Sequence, residues 1–117
     1  MNNWKKILVV AVHPDDETLG CGATLLRLGQ MNKELHWLIL TTSAGSKIFG
    51  KEYGEKRRQE IEQIKKLYSF ASCIELPNET GYMEGMQKVE LVGQIIKVIR
   101  QIQPDTIFLP FPWDAHK

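Results

Sequence analysis

The sequence predicts an α/β fold, a Rossmann-like parallel sheet with helices on both faces, in a single domain over residues 1–117. Two observations predict it. Short apolar segments alternate with longer segments of helical periodicity, the pattern of parallel strands joined by crossover helices. The first of these segments, 7–12, is apolar at every position, as expected of a strand covered on both faces.

The local patterns place each element in turn. Pro104 ends the last helix because proline cannot continue it. Apolar spacing places Leu26 on the apolar side of the first helix. In the third helix the apolar stripe consists of Val92, Ile95, Ile96, Ile99 and Ile102. The predicted elements are strands at 7–12, 35–40, 73–76 and 106–109, and helices at 17–31, 52–69 and 87–103.

Charge and composition exclude several classes of protein. Fifteen Lys and Arg face fourteen Asp and Glu, for a net charge of +1, so no basic surface predicts nucleic-acid binding or a polybasic membrane anchor. The segment 7–12 is too short for an integral membrane span. Cys21 and Cys73 match no metal or redox spacing, which favours free thiols in the cytoplasm.

The chemistry is expected where the strands end, because ligands bind outside the carboxyl ends of parallel strands. The first strand runs directly into His13-Pro14-Asp15-Asp16-Glu17. A turn can aim His13 and Asp16 at one Zn²⁺, which accepts imidazole and carboxylate ligands, and leave Asp15 beside the metal as a base. Alternatively, Asp15 and Asp16 only cap the following helix and complement its dipole. Spacing alone leaves both interpretations open.

The second helix and the segment after the last strand hold further candidates for the same site. Arg57 and Glu60 share the sheet-facing side of the second helix, and either form an ordinary ion pair or point into the pocket. Arg58 would replace Arg57 if the helix register differed. His116 follows the last strand, so it could reach the site of His13 or lie in solvent.

The segment 11–17, followed by Gly20-Cys21-Gly22, resembles the LmbE/PIG-L de-N-acetylase family. The hallmark of that family is a hydrophobic strand that leads into A-H-P-D-D-E and then a helix of small residues. The resemblance covers essentially the whole chain. Further matches follow in the family's order, at 41–45, 57–60, 103–108 and 114–116.

The resemblance implies a role for each matching residue. His13 and Asp16 would bind Zn²⁺, and Asp15 would be the general base that activates the attacking water. His116 would stabilise the oxyanion or protonate the leaving amine, and Arg57 would lie near the substrate pocket. The implied reaction removes the N-acetyl group from an N-acetylglucosamine-type sugar conjugate, a small-molecule substrate.

The sequence also departs from the family's pattern. The family's third zinc ligand is a His three positions after the match to His116, which falls beyond Lys117. We therefore expect a domain that is incomplete at its C-terminus and weakly active or inactive, with an exposed sheet edge that favours a homo-oligomer. Asn78-Glu79 stand where many relatives have an Asp near the pocket.

Two other functions compete with this one. The first is a metal- or sugar-binding fragment of such an enzyme, without turnover. The second is a nucleotide-binding flavodoxin-like domain. It is disfavoured because no phosphate-binding glycine loop follows the first strand, and Gly20-Cys21-Gly22 falls inside a helix.

His36, within the second strand, is expected to be structural.

Overall fold

The computed structural model describes residues 3–11, 16–42, 50–78 and 88–109, without the side chains of 16–21, 23, 50–53 and 88. Every predicted element is present, with bounds shifted by a residue or two. In chain order the elements are β1 (Lys6–Ala11), α1 (Asp16–Gln30), β2 (Glu34–Ile39), α2 (Gly50–Tyr68), β3 (Ser72–Glu75), α3 (Lys88–Ile102) and β4 (Thr106–Phe108).

The strands form one parallel sheet in the order β3-β2-β1-β4. The chain moves outward from β1 to β3, and α3 then returns it to the other side of β1. The strand order therefore reverses between β1 and β4. In open α/β sheets the crevice at this reversal, outside the carboxyl ends of the strands, is where ligands bind.

Helices cover both faces of the sheet, as the sequence predicts. On one face, Ile7, Val9 and Trp37 belong to a buried cluster with side chains of α1 and α2. On the other face, Leu8, Val10 and other side chains of the sheet pack with α3. The central strand β1 alternates between the two clusters and is almost fully buried, which explains its uninterrupted apolar sequence.

The sheet-facing sides of two helices agree with the prediction in part. Leu26 is exposed, and the buried positions of α1 are Leu25 and Leu28. In α3 the predicted residues Ile95, Ile99 and Ile102 pack into the core with Leu91 and Val98, whereas the predicted residues Val92 and Ile96 are exposed. Apolar residues occupy more than one side of both helices, so packing against the sheet decides which side is buried.

Each helix ends at a residue with left-handed backbone. Asn32, Ser69 and Gln103 have φ values of 61°, 58° and 55°. After α2, the amide of Phe70 donates to the carbonyl of Lys65 at 3.0 Å, and the amide of Ser69 donates to that of Lys66 at 3.3 Å. This pair is the Schellman arrangement, which satisfies carbonyls that the helix leaves open. The ends are thus fixed without the glycine that usually occupies this conformation.

Gly22 marks a close approach between α1 and α2. A Cβ atom at this position would lie 2.9 Å from the hydroxyl oxygen of Tyr68, a buried residue of α2. The small residue predicted to pack near the sheet instead accommodates a neighbouring helix. No helix in the described part of the chain is both long enough and apolar enough to cross a membrane.

Candidate active site at the carboxyl end of the sheet

Three polar side chains are buried in the described part of the chain, and all three lie at the carboxyl end of the sheet. Thr41 is 0% exposed, Asn78 3% and Arg57 4%. Thr41 follows β2, Asn78 follows β3, and Arg57 reaches the same region from α2. Burying a polar or charged group is costly unless it is partnered. Their concentration at one end of an otherwise apolar core therefore indicates a functional site.

Arg57 is anchored on the residue after Leu40. Its Nη2 donates to the carbonyl oxygen of Thr41 at 3.1 Å and to the Thr41 hydroxyl at 2.7 Å. The same nitrogen lies 3.9 Å from a carboxylate oxygen of Glu75, the last residue of β3. The Nε atom of Arg57 is buried and has no hydrogen-bond partner among the described residues. The guanidinium is thus held in place by Thr41.

Asn78 ties the ends of β2 and β3 to α3. Its side-chain nitrogen donates to the carbonyl of Leu40 at 2.9 Å and to the side-chain oxygen of Gln94 at 2.8 Å. Gln94 returns a hydrogen bond to the Asn78 side-chain oxygen at 3.3 Å. The amide of Thr42 donates to the Asn78 carbonyl at 2.8 Å. Residues 40–42 are therefore held from one side by Asn78 and from the other by Arg57.

This arrangement lies beside the end of β1. The amide of Leu40 donates to the carbonyl of Ala11, the last residue of β1, at 2.8 Å. Neighbouring strands of a sheet are about 4.8 Å apart. Thr41, and the guanidinium that it anchors, are consequently about one strand spacing from the point where the chain leaves β1 towards His13.

The other predicted site residues fall outside the described part of the chain. His13 and Asp15 follow β1, and His116 follows β4. Asp16 is the first residue of α1, but its side chain is not among those described. The observed topology makes β1 and β4 neighbours at the reversal of the strand order. Their assignment as metal ligands and catalytic groups stays a prediction.

The donor set fits a metal at this position. In the described ranges, no group of three or more His, Cys, Asp or Glu side chains could hold a metal ion. The segment between the central strand and α1 supplies the imidazole of His13 and the carboxylate of Asp16, the ligand types that Zn²⁺ accepts. A metal site in the segment 13–16 stays a prediction.

The structure decides between the alternatives for the charged helix. Arg57 is buried and points to the carboxyl end of the sheet, whereas Arg58 and Glu60 are exposed. The observed helix register thus places Arg57, and not Arg58, at the carboxyl end of the sheet. Glu60 lies on the exposed side of α2.

Sequence reasoning missed the roles of Glu75 and Gln94 and the burial of Asn78. Asn78 lies three residues after the end of β3, at the edge of the sheet where the same rule placed His13. Gln94 lies between Leu91 and Ile95, which pack against the core, so it is a polar residue near the inward side of α3.

His36 belongs to a different end of the molecule. Its Nδ1 lies 2.6 Å from the Ser72 hydroxyl and its Nε2 lies 2.5 Å from a carboxylate oxygen of Glu34. The hydrogen bond with His36 is the main cause of a lowered pKa of Glu34. Glu34 and Ser72 are the first residues of β2 and β3, so this cluster is at the amino end of the sheet. The geometry fits the structural role predicted for His36.

Comparisons with known proteins were made for the whole chain. A family model described as PIG-L, GlcNAc-PI de-N-acetylase, matches residues 8–117. A diacetylchitobiose deacetylase from Thermococcus kodakarensis is 30% identical, over 96% of this chain and 43% of the relative. A 1D-myo-inositol 2-acetamido-2-deoxy-alpha-D-glucopyranoside deacetylase from Rhodococcus jostii is 31% identical, over 60% of this chain and 26% of the relative.

A solved deacetylase structure is also similar to this chain. The N,N'-diacetylchitobiose deacetylase of Pyrococcus horikoshii superposes with a TM-score of 0.79 and 28% identity, over 96% of this chain and 43% of that structure. The chain thus spans less than half the length of the curated relatives it matches.

Proposed function

We propose that this chain, which belongs to the PIG-L family of de-N-acetylases, carries the metal-binding part of a zinc-dependent enzyme that removes the N-acetyl group from an N-acetylglucosamine-type sugar. The observation that carries the proposal is the buried Arg57–Thr41–Asn78 group beside the end of β1, where the His13–Asp16 segment begins. Two relatives are deacetylases of chitobiose- and glucosamine-type compounds, which supports the substrate class.

His13 and Asp16 would hold the metal. Zinc would supply Lewis-acid polarisation of the acetamide carbonyl, which makes its carbon more electrophilic. The imidazole and the carboxylate come from either end of a short segment that joins the central strand to α1, so a small number of backbone angles fixes their separation.

Asp15 would act as the general base. A carboxylate next to the metal ligands can take a proton from the attacking water as the C–O bond forms, and that proton then passes towards the leaving nitrogen. His116 would stabilise the negative charge that develops on the carbonyl oxygen, or protonate the amine as the C–N bond breaks. The products are acetate and a free amino sugar.

Arg57 would bind the substrate. Its Nη2 is committed to Thr41, which fixes the plane of the guanidinium, while the buried Nε–H has no partner among the described residues. An unsatisfied buried donor is costly and is relieved by an acceptor from a ligand. A sugar hydroxyl or acyl oxygen is an acceptor of this kind.

The sequence shows neither a membrane-spanning pattern nor a nucleic-acid-binding one, and the proposal keeps a cytoplasmic location. Self-association stays a prediction.

The proposal is tested by measuring acetate release from N,N'-diacetylchitobiose, with zinc added to the whole protein. Asp15→Asn should lower kcat by about 10²- to 10⁴-fold, the usual contribution of a general base. Asp105→Asn, at an exposed carboxylate near the opposite ends of the strands, is the matched control and should leave kcat unchanged. Equal turnover by wild type and Asp15→Asn would refute the assigned role. Sugar binding without acetate release would favour a binding module instead.

A further inference from the structure

Asn78 and Gln94 form a buried amide pair that no step of the proposed reaction uses. Asn78 is 3% exposed, and its side-chain nitrogen makes hydrogen bonds of 2.9 Å to the Leu40 carbonyl and 2.8 Å to Gln94. Its side-chain oxygen accepts the bond from the Gln94 nitrogen at 3.3 Å. Every polar atom of the Asn78 side chain therefore has a partner within the protein, so this side chain is committed to the fold.

The pair acts on the segment that anchors Arg57. Asn78 holds Leu40 through its side chain and Thr42 through its backbone carbonyl. Thr41, the residue between them, accepts both hydrogen bonds from Arg57 Nη2. A shift of residues 40–42 would move both acceptors of the guanidinium together, because they belong to a single residue.

Gln94 makes this support depend on α3. It belongs to the helix on one face of the sheet, whereas Arg57 belongs to α2 on the opposite face. The hydrogen bonds run from α3 through Asn78 and residues 40–42 to Arg57. Packing alone could not couple the two helices in this way, since the sheet separates them.

We propose that Asn78 and Gln94 are positioning residues that fix the Arg57 guanidinium for substrate binding by holding residues 40–42. The inference rests on the proposed function for its kinetic consequence, whereas its structural consequence is independent of activity. A residue at the carboxyl end of the sheet would ordinarily be expected to contact the sugar. The inference instead assigns Asn78 to holding Arg57 in place.

Two variants of Gln94 break the pair in different ways. Gln94→Met keeps the length of the side chain and removes both hydrogen bonds. Gln94→Glu keeps an oxygen that accepts the 2.8 Å bond from Asn78, but it replaces the donor of the 3.3 Å bond with a carboxylate oxygen, which repels the Asn78 oxygen. Gln101→Met, at an exposed position of α3, makes the same chemical change away from the pair.

The test measures KM and kcat for diacetylchitobiose, and the side-chain Nε–H resonance of Arg57 by NMR, in the full-length chain. Gln94→Met should raise KM about threefold to tenfold, the fold-change expected from one net hydrogen bond, with kcat changed less than about twofold. The Arg57 Nε–H should shift and exchange with solvent faster by about the same factor. Gln101→Met should stay close to wild type in both measurements, whereas Gln94→Glu should be impaired, because two acceptor oxygens would face each other.

Two results would overturn the inference. In one, the Arg57 resonance of Gln94→Met is the same as in wild type, whatever happens to KM. In the other, Gln101→Met is as impaired as Gln94→Met. If Gln94→Met does not fold, Gln94→Ala takes its place under the same criteria. Absence of turnover in wild type would count against the proposed function alone, because the NMR measurement would still decide the role of the amide pair.

Discussion

Thr41 offers a sharp test of the buried site, because two nearly isosteric changes should affect it differently. Thr41 is fully buried, and its hydroxyl accepts a 2.7 Å hydrogen bond from Arg57. Thr41→Val replaces that hydroxyl with a methyl group of similar size. A buried hydrogen bond to a charged group is worth about 1.5–3 kcal/mol, and the new methyl group returns about 0.8 kcal/mol of apolar burial. We expect a net loss of about 1–2 kcal/mol, since the guanidinium keeps only its bond to the Thr41 carbonyl.

Thr41→Ser is the matched comparison. It keeps the hydroxyl and removes a methyl group, which costs about 0.8 kcal/mol of apolar burial. The more polar variant should therefore be the more stable of the two at a fully buried position. Urea unfolding followed by the fluorescence of Trp37, which is buried and stacked on Phe70, measures both free energies. A valine variant as stable as wild type would refute the reasoning.

The remaining predictions concern other parts of the fold. Ser69→Gly should raise the free energy of unfolding by about 0.5–1 kcal/mol, because glycine adopts the left-handed backbone without strain; an unchanged Tm would contradict this. Gly93→Ala should stabilise α3 by about 1 kcal/mol, since nothing lies within 4 Å of the added atom. Gly22→Ala should be destabilising, and should become stabilising once Tyr68→Phe removes the hydroxyl it meets; additive effects in urea unfolding would refute the contact. Backbone amides lower the pKa of Asp105, so its contribution to stability should be complete above about pH 4 and be lost as the pH falls through the lowered pKa, a loss absent in Asp105→Asn by acid titration.

The strand order could be expected only in part from the sequence. The apolar run 7–12 identifies a central strand, because only a strand covered on both faces is apolar at every position. Alternation with helices gives parallel pairing and right-handed crossovers. Neither pattern says that β4 pairs with β1 and leaves β3 at the edge. That placement depends on α3 packing on the face opposite α1 and α2, which is a tertiary preference.

The helices show the same division between local and tertiary information. Their bounds follow from Pro104 and from polar breaks, which act locally, and the observed ends agree to within a residue or two. The side of each helix that faces the core does not follow from local signals. Leu26 and Val92 have the same spacing as their buried neighbours, and only contact with the sheet distinguishes them. A helix that is apolar on several sides carries no unique statement of which side faces the core.

For the site, the sequence identifies Arg57 but not its surroundings. A cationic residue within an apolar stripe is detectable by periodicity, whereas its acceptor, Thr41, is sixteen positions away and on a different element. The Asn78–Gln94 pair likewise spans sixteen positions and depends on the observed register of two elements. The assignments of His13, Asp15, Asp16 and His116 come from the family resemblance and stay predictions.

Calorimetric titration of zinc into the metal-free protein, with His13→Ala as the matched variant, tests the central claim most directly. The account predicts one-to-one binding by wild type and a loss of about 10- to 100-fold or more in affinity for His13→Ala, because the imidazole would be a direct ligand. Repeating the titration with His36→Ala controls for the loss of any histidine, and this variant should bind like wild type. Equal affinity in wild type and His13→Ala, or no binding by a folded wild-type protein, would contradict the claim that the end of the central strand is a zinc site.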